Sequence, residues 1–118
     1  MTELTTNAHL LAHALAKPGA WVDHPWEGHT VTKVGPKIFA FVDDEAIGVK
    51  CGRGRADADE WLDRFPGDAM VMAYIGRYGW NTLRVSGSIP LEDLIDAIDT
   101  SYEAVVSRLP RSQRPATG

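Results

Sequence analysis

The spacing of apolar side chains changes along this chain and marks out its elements. From Leu4 to Ala16 they recur at Leu4, Ala8, Leu11 and Leu15, with Leu10 and Ala14 widening the stripe; this is the period of an amphipathic helix, which Pro18-Gly19 ends. Residues 20–29 hold Trp21, Pro25, Trp26 and Gly28 with no clean period, and read as an ordered loop whose two indoles plug one end of the core. Thr30–Val34, Lys37–Val42 and Ala46–Lys50 are three short β-type runs, split by Gly35-Pro36 and by Asp43-Asp44-Glu45 as in a meander of hairpins. Asp57 followed three residues later by Glu60 resembles a capping box for a short helix bearing Trp61, Leu62 and Phe65, stopped by Pro66-Gly67. Met70–Ile75 and Trp80–Val85 are two further strands. The last helix has the cleanest period: Leu91, Leu94, Ile95, Ile98, Tyr102, Val105 and Leu109 repeat at three and four, with Pro90 at its start and Glu92 and Asp93 at its positive end.

The order α-βββ-α-ββ-α predicts an α+β fold, a two-layer α/β sandwich with helices on one face of a mostly antiparallel five-stranded sheet. Strand alternation sends Phe39, Phe41, Ile47, Val49, Val71, Leu83 and Val85 to the helices. It leaves Ile38, Ala40, Lys50, Met70, Met72, Tyr74, Trp80, Thr82 and Arg84 on an open face. Such a face, mixing rings, thioethers and cations, can stack a flat ring and hold a phosphate or carboxylate.

Length and composition narrow the function classes. The 118 residues fit one domain, residues 1–110, followed by a flexible, weakly basic tail at 111–118 with Arg111, Arg114 and Pro115. With 44% apolar and 24% charged residues the chain is not a disordered polypeptide, and its lone Cys51 excludes an internal disulfide or a thiolate-rich zinc site. The start, Met1 to Asn7, lacks a basic leader, and no apolar run reaches the roughly 18 residues of a membrane span. The expected address is cytoplasmic, with no membrane partner. A formal charge of −4 argues against a surface that grips nucleic acid everywhere. The acids, however, gather in helical stretches, whereas Lys33, Lys37, Lys50, Arg53, Arg55, Arg77 and Arg84 lie in or beside strands, so a local basic surface fits the count.

Several groups of residues carry candidate chemistry. Lys50, Arg77, Trp80 and Arg84, with Lys37 and Tyr74 beside them, would neutralise phosphates while the indole stacks on a base. In Cys51-Gly52-Arg53-Gly54-Arg55, two glycines free backbone amides at a helix start, where Arg53 and Arg55 would help cradle an anion and lower the Cys51 pKa. Asp23 beside His24 offers a carboxylate and an imidazole for proton transfer, against the plainer reading of a histidine bonded to backbone. His9 and His13, four apart, read as solvated helix histidines, and Glu92, Asp93, Asp96, Asp99 and Glu103 as an outward helix face. No set of residues fills the roles of an enzyme, and no cofactor or metal site is expected.

Asp23-His24-Pro25-Trp26, Lys33-Val34, Lys37-Ile38-Phe39-Ala40, Val49-Lys50-Cys51, Arg77 with Trp80-Asn81-Thr82, and Ser101-Tyr102 ahead of Leu109-Pro110 together resemble the signature positions of the MmcQ/YjbR family of small bacterial proteins. The resemblance runs from about Leu10 to Pro110. It implies a CyaY-like fold and a DNA-binding role with a double-wing arrangement. Two positions depart from the family pattern: Glu27 interrupts the usual Pro-Trp-Gly, and Arg77 stands where a lysine is usual, exchanging a point charge for a planar fork. The leading expectation is therefore a nucleic-acid-binding module; the alternative is a binder of a small anionic or aromatic ligand, or of a protein partner.

Overall fold

Six strands make one antiparallel sheet, one strand more than the apolar pattern predicts. The computed structural model of the protein describes residues 6–25 and 29–115. Its elements run α1 (Thr6–Leu15), β1 (Ala20–Asp23), β2 (Val31–Val34), β3 (Lys37–Val42), β4 (Ala46–Lys50), α2 (Arg55–Arg64), β5 (Ala69–Val71), β6 (Trp80–Arg84) and α3 (Leu91–Val106), with 3-10 turns at Gly76–Tyr78 and Arg111–Gln113. The sheet order is β1-β2-β3-β4-β6-β5. The fold is the expected α+β arrangement with the helices on one face.

The extra strand comes from the segment read as a loop. Ala20–Asp23 pairs with β2 as an edge strand, and its Trp21 and Val22 are exposed. Trp21 therefore does not plug the core: its Nε1 donates to the Gly35 carbonyl at 3.0 Å and its ring lies under the Lys33 ammonium. Trp26 lies outside the described residues.

One bulge resets the strand alternation. Thr32 faces Ala40 and Lys33 faces Ile38, so Phe39 is an extra residue on β3. Phe39 and Ala40 both turn toward the helices and are fully buried. Phe41 is consequently thrown to the opposite face, where it pairs with Gly48 and meets Trp80 edge-on at 5.8 Å. The expected inward Phe41 and outward Ala40 are thus exchanged. Val71 also departs from expectation, 53% exposed on the short edge strand β5, because the chain leaves the sheet after it instead of continuing to Ile75.

Past Ala40↔Val49 the pairing of β3 with β4 stops, and a side chain from α3 bridges the gap. The buried Ser101 hydroxyl accepts the Lys50 N–H at 2.8 Å and donates to the Phe39 carbonyl at 2.5 Å. Next to it Tyr102 meets the Phe39 ring edge-on at 5.2 Å, and its hydroxyl donates to the Pro18 carbonyl at the end of α1 at 2.6 Å. On the other side of the sheet's centre, Asn81 plays the same part for α2: its Nδ2 donates to the Ala58 carbonyl at 2.9 Å. The capping reading of α2 shifts by three residues. Gly54 is the N-cap, and Asp57 sits at the third helical position, reaching back to the Arg53 N–H at 3.0 Å.

After α3, part of the segment expected to be a tail docks on the domain. Arg114 donates to the Leu109 and Ser107 carbonyls, closing the C-terminal end of α3, and Pro115 lies against Gly19. Ser101→Ala should lower unfolding free energy by about 2–4 kcal/mol, since it strands one buried donor and one buried acceptor at about 1–3 kcal/mol each. Urea titration checks this, with Ser107→Ala on the exposed end of α3 expected to stay within about 0.5 kcal/mol of the wild type.

Candidate anion-binding site

Antiparallel pairing decides which basic residues share a region. Lys50 at the end of β4 faces Trp80 at the start of β6, and Ala46 faces Arg84 at the other end of both strands. Arg84 is therefore separated from Lys50 by the length of β6, roughly 13 Å at the rise of an extended strand. There Arg84 is set against Asp68, whose carboxylate is held below the usual carboxylate range chiefly by hydrogen bonds from Ser88. Arg77, in the turn before β6, stacks on the Tyr78 ring and donates to its hydroxyl at 2.7 Å. Trp80 is only 9% exposed and belongs to the core cluster. The expected grouping of Lys50, Arg77, Trp80 and Arg84 on one open face does not assemble, and the indole is largely covered instead of lying open on the sheet face.

A different cationic group does assemble at the Lys50 end. A cleft of about 740 Å³ between this end of the sheet and α3 is lined by Lys50, Arg53, Asp57, Glu103 and Arg108 among others. A second, of about 330 Å³, has Lys37, Ile38, Lys50, Trp80, Val105 and Arg108 on its walls. Lys50 and Arg108 line both. Lys50 is 6% exposed, and burial first, then the nearby Arg108 charge, hold its ammonium below the ordinary lysine value. Among the described residues no carboxylate lies within 4.0 Å of the side-chain nitrogens of Lys37, Lys50, Arg53 or Arg108, whereas Lys17, Lys33, Arg55, Arg64 and Arg84 all have one. Arg108 was not singled out in the sequence, although its helical spacing after Val105 brings it to the foot of α3.

The glycine-rich turn before α2 contributes half of what its sequence suggests. Gly79, at φ +97°, lets the Gly76–Gly79 turn come so near that any Cβ there would stand 3.1 Å from Gly54 backbone. Arg55 fills this junction, donating to the Gly76 and Trp80 carbonyls, to Asn81 Oδ1 and to Asp59. It braces α2 against β6 and is not available to a ligand. The place an anion would take at the helix start is occupied by the Asp57 carboxylate. Only Arg53 of the pair remains outward. Cys51 is 3% exposed, and burial pushes its thiol up to about 12, overriding the lowering expected from arginines.

The open face carries a separate, mainly apolar cleft of about 510 Å³, with Phe41, Gly48, Met72, Tyr74 and Thr82 on its walls. A Cβ at Gly48 would overlap the Met72 methyl, so the glycine is what lets Met72 cross the sheet. Tyr74 stands at this cleft 98% exposed, with φ +66°, remote from the cationic end.

The remaining candidates settle as structural contacts. Asp23 accepts from Lys33 Nζ and from the His24 backbone N–H, each at 2.8 Å, and Lys33 foremost holds it below the usual range. It does not orient the His24 ring, whose Nδ1 lies 3.3 Å from the His29 carbonyl and 3.4 Å from the exposed Thr30 hydroxyl. Pro25 is exposed beside it. His13 is not a free histidine: with Lys17 it holds Asp99 of α3. Among the described residues no three His, Cys, Asp or Glu gather as metal ligands, and no helix is long and apolar enough to cross a membrane.

Comparison with known proteins gives the family and the fold. The model of the family described as YjbR matches residues 15–104. The chain belongs to the YjbR family. It is 30% identical over 115 residues to the uncharacterized protein YjbR of Escherichia coli (strain K12), covering 92% of this chain and 94% of that protein, with the same figures for YjbR of E. coli O157:H7. The crystal structure of Deinococcus radiodurans protein DR2400, a DUF419 domain, superposes with a TM-score of 0.78 over 88% of this chain and 81% of its own, at 19% identity. That structural likeness concerns the fold. Of the positions read as YjbR-family signatures, Asn81, Ser101 and Tyr102 are the buried ties between sheet and helices.

Two measurements check this site. Cys51 should resist alkylation in the native protein and release one reactive thiol on unfolding, as read by thiol titration in buffer and in denaturant. Asp99 loses affinity for protons on folding, because Lys17 and His13 outweigh the opposing effect of burial. Its stabilising effect is therefore full above the unfolded value of 3.8 and disappears as pH falls through the lower folded value. Asp99→Asn should flatten the acid limb of stability against pH, measured as urea midpoints between pH 3 and pH 7.

Proposed function

We propose that this YjbR-family protein is a non-catalytic binding module that takes nucleic acid, DNA in the first instance, through its phosphates. The observation that carries the reading is the gathering, around two clefts at one end of the molecule, of four cations, Lys37, Lys50, Arg53 and Arg108, that have no carboxylate within 4.0 Å among the described residues, whereas five of the other eight Lys and Arg have one. Unpaired cations at a concave surface are a standing attraction for polyanions, and phosphate contacts supply most of non-specific affinity. With Trp80 enclosed, stacking on that indole has no part in the contact. Arg77 and Tyr78, on the turn packed against the Gly54 backbone, add an exposed cation and an exposed ring.

A small anionic ligand in the same clefts is the second reading, favoured by the recessed position of Lys50. Fluorescence anisotropy with labelled single- and double-stranded oligonucleotides separates the two. Under the nucleic-acid reading, affinity rises with oligonucleotide length and falls with salt. Arg108→Ala or Arg53→Ala should weaken binding about tenfold or more, the worth of one charge-assisted contact, and each should reduce the salt slope by about one. Arg64→Ala, which removes a carboxylate-paired cation, should leave both unchanged. No binding below about 100 μM at low salt, where even non-specific contact registers, overturns the reading.

A further inference from the structure

Lys50 is unlike the other three lysines of this chain. Lys17 is paired with Asp99 at 2.5 Å, Lys33 with Asp23 at 2.8 Å, and Lys37 is exposed. Lys50 is enclosed, has no carboxylate within 4.0 Å among the described residues, and has its backbone N–H fixed by Ser101, so that its side chain enters the two clefts from one wall. Arg108 stands beside it, with Lys37 and Arg53 on the adjoining walls. Asp57 and Glu103 also line the larger cleft, leaving the recess around Lys50 and Arg108 as its cationic part.

A lysine largely buried and set next to another cation gives up its proton more readily than an exposed one, which enlarges the share of the amine that attacks carbonyl carbon. Its lowered proton affinity has those two causes in that order, burial and then Arg108. A recessed lysine amine and, beside it, a guanidinium with no carboxylate within 4.0 Å among the described residues, both on the walls of the same two clefts, suit a molecule carrying both an electrophilic carbonyl and an anionic group.

Resting on the anion-binding reading above, we propose that Lys50 forms a reversible imine with small aldehydes that also carry a phosphate, the phosphate being held by Arg108 and its cationic neighbours. The Nζ lone pair forms a bond to the carbonyl carbon, and the carbonyl π pair moves to oxygen, which takes up the first proton that the nitrogen releases. The carbinolamine then loses that oxygen as water, the second proton also coming from the nitrogen, while the nitrogen lone pair forms the C=N bond. Carbon, nitrogen and oxygen keep their combined oxidation level, so no further reagent is needed, and hydrolysis reverses the step.

The test uses pyridoxal 5′-phosphate as the probe on the full chain, trapping with borohydride, which delivers hydride to the C=N carbon, and peptide mapping of all four lysines. The reduced adduct should lie on Lys50 ahead of Lys17, Lys33 and Lys37, with inorganic phosphate competing. Pyridoxal without its phosphate should label Lys50 at least about tenfold less, the loss of one charge-assisted contact. Lys50→Arg should abolish the adduct and Lys37→Arg should keep it. Labelling chiefly on exposed Lys37, or equal labelling with and without the phosphate group, overturns the proposal in the native chain whether or not a Lys50 variant folds. Absence of oligonucleotide binding with Lys50 still the labelled residue supports the imine and overturns only the nucleic-acid reading. Oligonucleotide binding with the adduct on Lys37 overturns the imine alone.

Discussion

The Ser101 hydroxyl is the tie on which the rest of the molecule depends. The bulge at Phe39 turns two successive side chains into the core, and in doing so it ends the hydrogen-bond ladder between β3 and β4. A carbonyl and an N–H are then left facing each other across a gap in an apolar interior, at a cost of about 1–3 kcal/mol each if unanswered. Ser101 answers both, and because it belongs to α3 the splay of the strands and the seat of the helix become one geometric fact. Tyr102 extends the same logic to α1 through the Pro18 carbonyl. The cleft at the Lys50 end exists because strands spread there and a helix, not a neighbouring strand, closes the space.

This explains which parts of the fold were legible in the sequence. Helical periods and hairpin breaks are local, so α1, α3, the β2-β3-β4 meander and the α+β class follow from spacing alone. The exchange of Phe41 and Ala40 does not, because a bulge adds one residue without changing the composition of the run, and every position after it inverts. Ala20–Asp23 escapes notice for a related reason: an edge strand this short, with Trp21 and Val22 on its surface, has no buried face to impose alternation. The turn at Tyr74 ends β5 early through a left-handed residue that is not glycine, which no turn-residue rule would single out.

The site was legible as an inventory of cations but not as an arrangement. Arg53 and Arg55 stand two residues apart in one glycine-rich turn, and nothing in their chemistry separates them. The fold does: Arg55 points inward to four acceptors between α2 and β6, while Arg53 has none but solvent and the cleft. The same sorting sets Arg84 against Asp68 and leaves Lys37, Lys50 and Arg108 without a carboxylate partner among the described residues. Neutralisation by carboxylates decides which basic residues remain free to hold a ligand, and it depends on contacts as distant in sequence as Lys17 with Asp99. Arg108 illustrates the converse, a residue with no motif around it that becomes central because α3 ends where β4 ends.

A net charge of −4 is compatible with an anion site for the same reason, and it also limits the kind of anion. Exposed acids run along α3 from Glu92 through Asp96 to Glu103, the last of them beside the cationic cleft, so a long polyanion lying along the helix would meet like charge. Favourable contact centres on the four cations around the two clefts, Lys37, Lys50, Arg53 and Arg108. Four phosphate contacts correspond to a salt slope no steeper than about −4 on duplex DNA, the footprint of a protein that touches a backbone at one end and is repelled elsewhere. A ligand with its charge concentrated on one group avoids that repulsion, because it can enter the cleft that Lys50 and Arg108 line without lying along the helix.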